Sequence, residues 1–216
     1  MEYLDYFDAQ HRLLGKKEKV EIHKNALWHH TFHCWIFTSK GEIIFQLRAK
    51  NIVANPNVLD ISSAGHIEAG EDPLAGGLRE LNEELGLNVG LNDLIRLGIF
   101  QHASDALYPD GSPNQNREFC YTYLLKSDKP LDQYRLQKEE LGGIYTIPLV
   151  DLFKIFTQEV KQIQISGLAF QDSGELKSEI KTVSLKDFNP EFLPEHYIKI
   201  GIMVERALEG KKYFGV

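Results

Sequence analysis

One stretch constrains this chain more than any other. Gly65 to Leu87 reads GHIEAGEDPLAGGLRELNEELGL, with Glu71, Arg79, Glu80, Glu83 and Glu84 spaced between the flanking glycines. Asp72-Pro73 is a helix entry, because Asp caps and Pro is tolerated at the first helical position. Gly86 is a stop signal. Leu74, Leu78, Leu81 and Leu85 recur at helical spacing and fall within an arc of about 60°. Glu80, Glu83 and Glu84 project from a different arc, about 100° wide. Like charges three and four residues apart repel, so the arrangement needs a cation or strong donor to compensate. Carboxylate oxygens are the ligands that Mg²⁺ and Mn²⁺ prefer.

The rest of the composition suits a soluble enzyme. The 216 residues are expected to form one domain, 1–216, with a core over about 20–150 and a C-terminal extension over about 151–216. A net charge of −7 argues against binding nucleic-acid polymers or anionic membranes nonspecifically. No apolar run approaches membrane-spanning length, and Met1-Glu2-Tyr3 does not read as a secretory signal. Cys34 and Cys120 sit in strand-like apolar runs and read as buried reduced thiols, hence a cytoplasmic protein.

Along the chain, strands are expected over Glu2–Asp8, Lys19–His23, Phe32–Thr38 and Glu42–Leu47, the last two flanking a Ser39-Lys40-Gly41 hairpin. A short strand ends near Gly65. After the acidic helix come a strand over Ile95–Phe100, a polar loop over His102–Arg117 and strands over Glu118–Lys126 and Gly143–Ile147. Pro148 opens a helix to Phe156, Gln162–Phe170 and Lys177–Val183 form a second hairpin, and a final helix runs over Glu195–Leu208. Five of the eight histidines, His23, His29, His30, His33 and His66, lie between residues 23 and 66. Imidazole with carboxylate suits a transition metal better than Mg²⁺.

At every fixed position the 65–87 stretch resembles the signature of the Nudix hydrolases. Seven fixed residue types and two apolar positions coincide by chance on the order of once in a billion windows. The resemblance implies an α+β fold, an α/β/α sandwich with a mixed sheet. It implies hydrolysis of a nucleoside-diphosphate-linked or related diphosphate with Mg²⁺ or Mn²⁺. Carried over by position, Glu80, Glu83 and Glu84 would be metal ligands, with Glu71 an accessory carboxylate of the metal site. Arg79 would orient the carboxylates by charge-assisted hydrogen bonds. Glu83, Glu84, Arg79 and Glu118 are the expected catalytic residues. Gly65 and Gly86 are expected to serve backbone geometry.

Residues 20–125 also resemble type I isopentenyl-diphosphate isomerase, itself a Nudix-fold enzyme. His23 and His30 match its His pair with six intervening residues, and Arg48-Ala49 matches its Arg-Ala pair. His66 matches its third metal histidine, and Glu118 its acidic strand residue. Three departures count against isomerase chemistry. Ala64 stands where that family has its catalytic cysteine, Leu59-Asp60 replaces its tryptophan-threonine, and Asn116 replaces a second carboxylate. The box of those isomerases is degraded, whereas this one is intact.

The expected reaction is metal-assisted hydrolysis of a phosphoanhydride in a small-molecule diphosphate, the alternatives being an isopentenyl-diphosphate isomerase-like enzyme or a noncatalytic nucleotide- or metabolite-binding protein on the same fold. The proton of the attacking water needs an acceptor; Glu118, Glu139 and Glu140 are the candidates, Glu118 first. Arg48, His66 and Tyr108 are the expected substrate contacts, with the 102–117 loop closing over the ligand. The C-terminal extension is expected either to cover one side of the sheet or to build a homodimer interface.

Overall fold

Strand β3 (Trp28–Phe37) organises the molecule, because its alternating side chains feed two separate cores. Trp35 and Phe37 point to one face and Phe32, Cys34 and Ile36 to the other, and all five are buried. A strand apolar on both faces must be covered on both. The computed structural model describes residues 2–107 and 113–211.

In chain order the elements are β1 (Tyr3–Phe7), β2 (Leu13–Glu18), α1 (Lys19–Lys24), β3, β4 (Glu42–Arg48), β5 (Leu59–Asp60), β6 (Ser63–His66) and α2 (Pro73–Leu85). There follow β7 (Leu94–Leu107), β8 (Pro113–Lys126), β9 (Leu141–Pro148), α3 (Leu149–Phe156), β10 (Ile163–Phe170), β11 (Leu176–Val183) and α4 (Pro194–Leu208). The sheet runs β11-β10-β9-β4-β3-β1-β2, and β8 joins β3 on its parallel side. That parallel ladder places His29 opposite Glu118 and His33 opposite Thr122. Antiparallel β6 pairs with the same strand, His66 opposite Thr31 and Ala64 opposite His33. The sheet is therefore mixed, and strands distant in sequence deliver histidines and a carboxylate to one region.

Helix α2 covers one face through Leu81 and Leu85, which pack with Phe32, Ile36 and Ile44. Helices α3 and α4 cover the other, where Leu152, Ile155, Tyr197, Ile200 and Val204 join Trp35, Phe45 and Tyr145. The rings of Phe156 and Tyr197 stack with centroids 4.2 Å apart. The result is an α/β/α sandwich. The residues after 150 supply one of its layers, and β10 extends the sheet from β9.

Two expected elements differ. Lys19–His23 is not a strand: the second strand is Leu13–Glu18, paired with β1, and Lys19–Lys24 is a short helix that buries Ile22 and exposes Val20. Two apolar residues in alternation fit either structure, and the neighbouring ladder decides. Residues 102–107 and 113–117 are not loop but the outer part of the β7–β8 ribbon, with Ala103 opposite Arg117 and Asp105 opposite Gln115. Across this ribbon Arg117 bonds Asp105 at 2.8 Å.

Candidate active site

Helix α2 begins as its sequence dictates. Asp72 accepts hydrogen bonds from the Leu74 and Ala75 amides at 3.0 and 3.1 Å, and Pro73 follows it. The helix ends at Gly86, whose φ of 64° is the left-handed conformation that glycine adopts without strain. Gly77 lies directly against the Phe32 ring, with no room for a Cβ. That close approach seats the helix on the sheet.

Arg79 gathers the carboxylates. Its Nε and Nη2 donate to the two oxygens of Glu71, both at 3.1 Å, and its Nη1 donates to Glu80 and Glu83, both at 2.9 Å. Nη2 also donates to the His66 carbonyl at 3.2 Å, tying helix to strand. Burial pulls the Glu71 carboxyl up, but its bonds to Arg79 outweigh this and hold it below the usual range. Glu80 is pushed up to about 7, by burial first, against the pull of Arg79. Glu84 is 2% exposed and raised well above the ordinary range by burial; its Oε2 accepts from the Ala64 amide at 3.3 Å. Glu84 thus faces the protein rather than solvent. The role of Gly65 is also corrected. Its φ is not left-handed; it leaves the space that the Glu80 carboxyl fills.

A second set of ligand-type atoms sits beside the first. One ring nitrogen from each of His23, His29 and His66 lies within 4.8 Å of the others. His29 Nδ1 donates to the Leu27 carbonyl at 3.0 Å, which leaves its Nε2 as a buried lone pair without a partner, 3.9 Å from Glu118. Burial lowers all three imidazoles, His29 to about 3, a shift toward the unprotonated form that metal ligation requires. His30 is not part of this group. Strand alternation turns it to the opposite face, where it stacks on Phe7 at 4.0 Å and meets His11 Nε2 at 2.6 Å. His29 takes the place expected of His30.

A cavity of about 350 Å³ is lined by His23 and His66 of the second set together with Ala64, Gly65 and Glu118; the carboxylates of the box helix are not among its lining residues. Glu118 lies 3.9 Å from His29 and from His33, and accepts from the Asn116 amide at 2.8 Å. Burial raises its carboxyl. Arg48 lines the cavity too, but directs its guanidinium to Asp60 at 3.3 Å and to the carbonyls of Ala54 and Asn55. Glu139 and Glu140 are exposed; the negative charge of Glu140 contributes to raising Glu80 and Glu84. Tyr108 lies outside the described residues.

Glu191, which sequence reasoning missed, reaches the cavity from the segment before α4. Asn55 and Ser104 donate to it at 2.6 and 2.8 Å, and His102 Nε2 lies 3.6 Å away. Burial alone would raise Glu191, but these partners hold it down to about 2. Asn189 donates to the buried Asp60 at 2.8 Å. No local pattern marks Asn189 or Glu191, since their partners lie far away in sequence.

The family described as NUDIX domain matches residues 27–165. An uncharacterized Nudix hydrolase of Clostridium acetobutylicum is 34% identical over 88% of this chain and 90% of its own. An isopentenyl-diphosphate Delta-isomerase of Serratia proteamaculans is 27% identical over 56% of this chain and 76% of its own. The crystal structure of DR0079 from Deinococcus radiodurans superposes with a TM-score of 0.55 at 21% identity, over 73% of this chain and 88% of that one, a likeness of fold. No helix among the described residues is long and apolar enough to cross a membrane. With its box helix, mixed sheet and matching domain, this chain belongs to the Nudix family and is a Nudix hydrolase, an enzyme class acting on phosphorus-containing anhydrides.

Proposed function

We propose that this Nudix hydrolase is a metal-dependent pyrophosphohydrolase cleaving the phosphoanhydride of a nucleoside-diphosphate-linked or related organic diphosphate. One observation carries the reading: Glu71, Glu80 and Glu83 converge on the single guanidinium of Arg79, with Glu84 buried beside them. Three carboxylates share one guanidinium, the fourth is not bonded to it, and Glu80 and Glu84 are raised by burial. Such an oxygen donor set, short of positive charge, fits Mg²⁺ or Mn²⁺ held by Glu80, Glu83 and Glu84 with Glu71 in support. A divalent ion bound there supplies neutralisation of phosphate oxygens and acidification of a water.

The chain's own residues do the rest. Arg79 fixes the carboxylates by bidentate and bridging bonds, and the Ala64 amide fixes Glu84. The water oxygen bonds to phosphorus as the bridging P–O bond breaks, and the water proton passes to Glu118 on the cavity wall. Arg48 holds the 54–55 loop as a wall of the site, with His66 on the opposite strand. The test is formation of phosphate or phosphomonoester products from a panel of nucleoside-diphosphate-linked and isoprenoid diphosphates with Mg²⁺ or Mn²⁺, beside Glu84→Gln. Metal-dependent cleavage lowered on the order of 100-fold or more in the variant supports the proposal. Equal rates in both would overturn it.

A second reading is isomerisation of a small allylic diphosphate. The His23, His29 and His66 group favours it, since a nitrogen-ligated divalent ion fits three neutral imidazoles with one unpartnered lone pair. Ala64 has no thiol for the proton chemistry. Formation of the isomer without phosphate release selects this reading.

A further inference from the structure

A mixed set of nitrogen, oxygen and sulfur atoms lies where β3 and β8 run side by side. The parallel ladder puts His29 opposite Glu118 and Thr31 opposite Cys120, so strand alternation turns His29, Thr31, His33, Glu118 and Cys120 to one face of the sheet. His33 Nε2, a Glu118 carboxylate oxygen and Cys120 Sγ all lie within 4.8 Å of one another, and all three residues are buried. His33 and Cys120 belong neither to the box helix nor to the imidazole group of His23, His29 and His66. The set stands between two cavities. His33 and Glu118 line the one of about 350 Å³, and His33 and Cys120 line another of about 360 Å³ beside α4.

The protein pairs these atoms only at long range. Glu118 Oε1 accepts from Asn116 at 2.8 Å, which leaves Oε2 facing His33 Nε2 at 3.9 Å and Cys120 Sγ at 3.6 Å. The Thr31 hydroxyl lies 3.4 Å from His33 Nε2. Both separations at His33 exceed the roughly 2.7–3.2 Å of an ordinary hydrogen bond to nitrogen, and buried polar atoms are seldom left so. The spacings are close to the edges of a tetrahedral zinc site instead, where bonds of about 2.0–2.3 Å set neighbouring ligand atoms roughly 3.3–3.8 Å apart. Charge points the same way. A thiolate and a carboxylate balance one divalent ion, and imidazole adds none, so the occupied set brings no net charge into the interior. Sulfur beside imidazole selects a zinc-like ion over Mg²⁺.

We propose that His33, Glu118 and Cys120 form a binding site for a zinc-like divalent ion, separate from the carboxylate site of the box helix, with a water from the adjoining cavities as fourth ligand. Burial raises the Cys120 thiol well above its ordinary range, so the entering ion displaces the proton from sulfur and the proton leaves to solvent. Contraction of the three atoms by a few tenths of an ångström completes the geometry. The ion occupies Glu118 Oε2, and zinc bound here takes away the acceptor of the water proton and slows turnover. That consequence rests on the hydrolase reading for Glu118; the binding itself does not.

The test is titration of the whole protein with Co²⁺, a spectroscopic stand-in for Zn²⁺, in excess Mg²⁺ that occupies the box carboxylates. The wild type should develop the near-ultraviolet charge-transfer band of a cobalt–thiolate bond. Cys120→Ser should abolish the band. Cys34→Ser should keep it, because Cys34 faces the opposite core with Phe32 and Ile36. His23→Gln, which breaks the imidazole group, should keep it as well, since that group holds no sulfur. Competition with Zn²⁺ gives the affinity, and His33→Gln, which retains the thiol, should weaken it by at least the roughly 10- to 100-fold that loss of an outer partner costs. A wild type with no thiolate band, a band that survives Cys120→Ser, or equal zinc affinity in His33→Gln would overturn the proposal. Zinc inhibition of phosphoanhydride cleavage, relieved in Cys120→Ser, supports the proposed consequence. If the band appears and Zn²⁺ leaves cleavage unchanged, the site stands and the assignment of Glu118 as proton acceptor falls.

Discussion

Glu80 fills the place where a side chain on Gly65 would be: a Cβ built on Gly65 overlaps the Glu80 carboxyl group. Strand β6 and helix α2 are fitted to each other at this point. Gly65→Ala should push the Glu80 carboxyl aside by rotation of its flexible side chain. Displacement of a catalytic group by about 1 Å costs on the order of 100-fold in rate. The melting temperature should hardly move, because the group displaced is a side-chain end. Steady-state kinetics beside a thermal melt checks this, and wild-type kcat/KM in the variant would remove Glu80 from the proposed metal set.

Arg79 joins three carboxylates through a planar fork, so lysine cannot replace it. Arg79→Lys keeps the charge but loses the bidentate grip on Glu71. Loss of charge-assisted bonds worth about 2–4 kcal/mol in total corresponds to a fall in kcat/KM of roughly 30- to 700-fold. Metal titration of activity should show weaker apparent affinity as Glu71, Glu80 and Glu83 lose their common anchor.

Gly77 presses on the Phe32 ring with no space between. Gly77→Ala gains helix propensity of roughly 1 kcal/mol, but the new methyl must lift α2 off a fully buried ring. Overpacking of this kind costs about 1–3 kcal/mol and should exceed the gain. The urea midpoint should fall with m unchanged, and catalysis should suffer because the same helix carries Glu80, Glu83 and Glu84.

His196 is held down to about 4, chiefly by burial, with added repulsion from His102 and Lys199. An unfolded imidazole titrates near 6.5. Between these values the unfolded chain binds a proton that the folded chain does not. The folded state therefore keeps its full stability above about pH 6.5 and loses it as the pH falls toward about 4. The loss from this residue approaches about 3 kcal/mol. His196→Phe keeps the packing on Phe192 and should flatten the fall in that window. Denaturant melts from pH 7.5 to 4 compare the two slopes, and parallel slopes would contradict the assignment.

Much of the site was legible because it is local. The Asp72 cap, the Gly86 stop and the spacing of Arg79, Glu80, Glu83 and Glu84 all belong to one helix, whose period places its side chains without reference to the rest of the chain. The β3–β4 and β10–β11 hairpins were readable for the same reason, from turn residues between apolar runs. Tertiary structure decided what depends on distant partners. Strand alternation and the parallel pairing of β3 with β8 chose His29 over His30 and set Glu118 opposite it. Close packing of α2 on the sheet buried Glu84, which the helix period had grouped with Glu80 and the exposed Glu83. Folding of α4 over the sheet brought Glu191 and Phe192 back to β3 and β7, because an uncovered apolar face costs more than ordering the chain that covers it. Local periodicity determines which side chains share a face, and only the packing of faces against one another determines which of them meet.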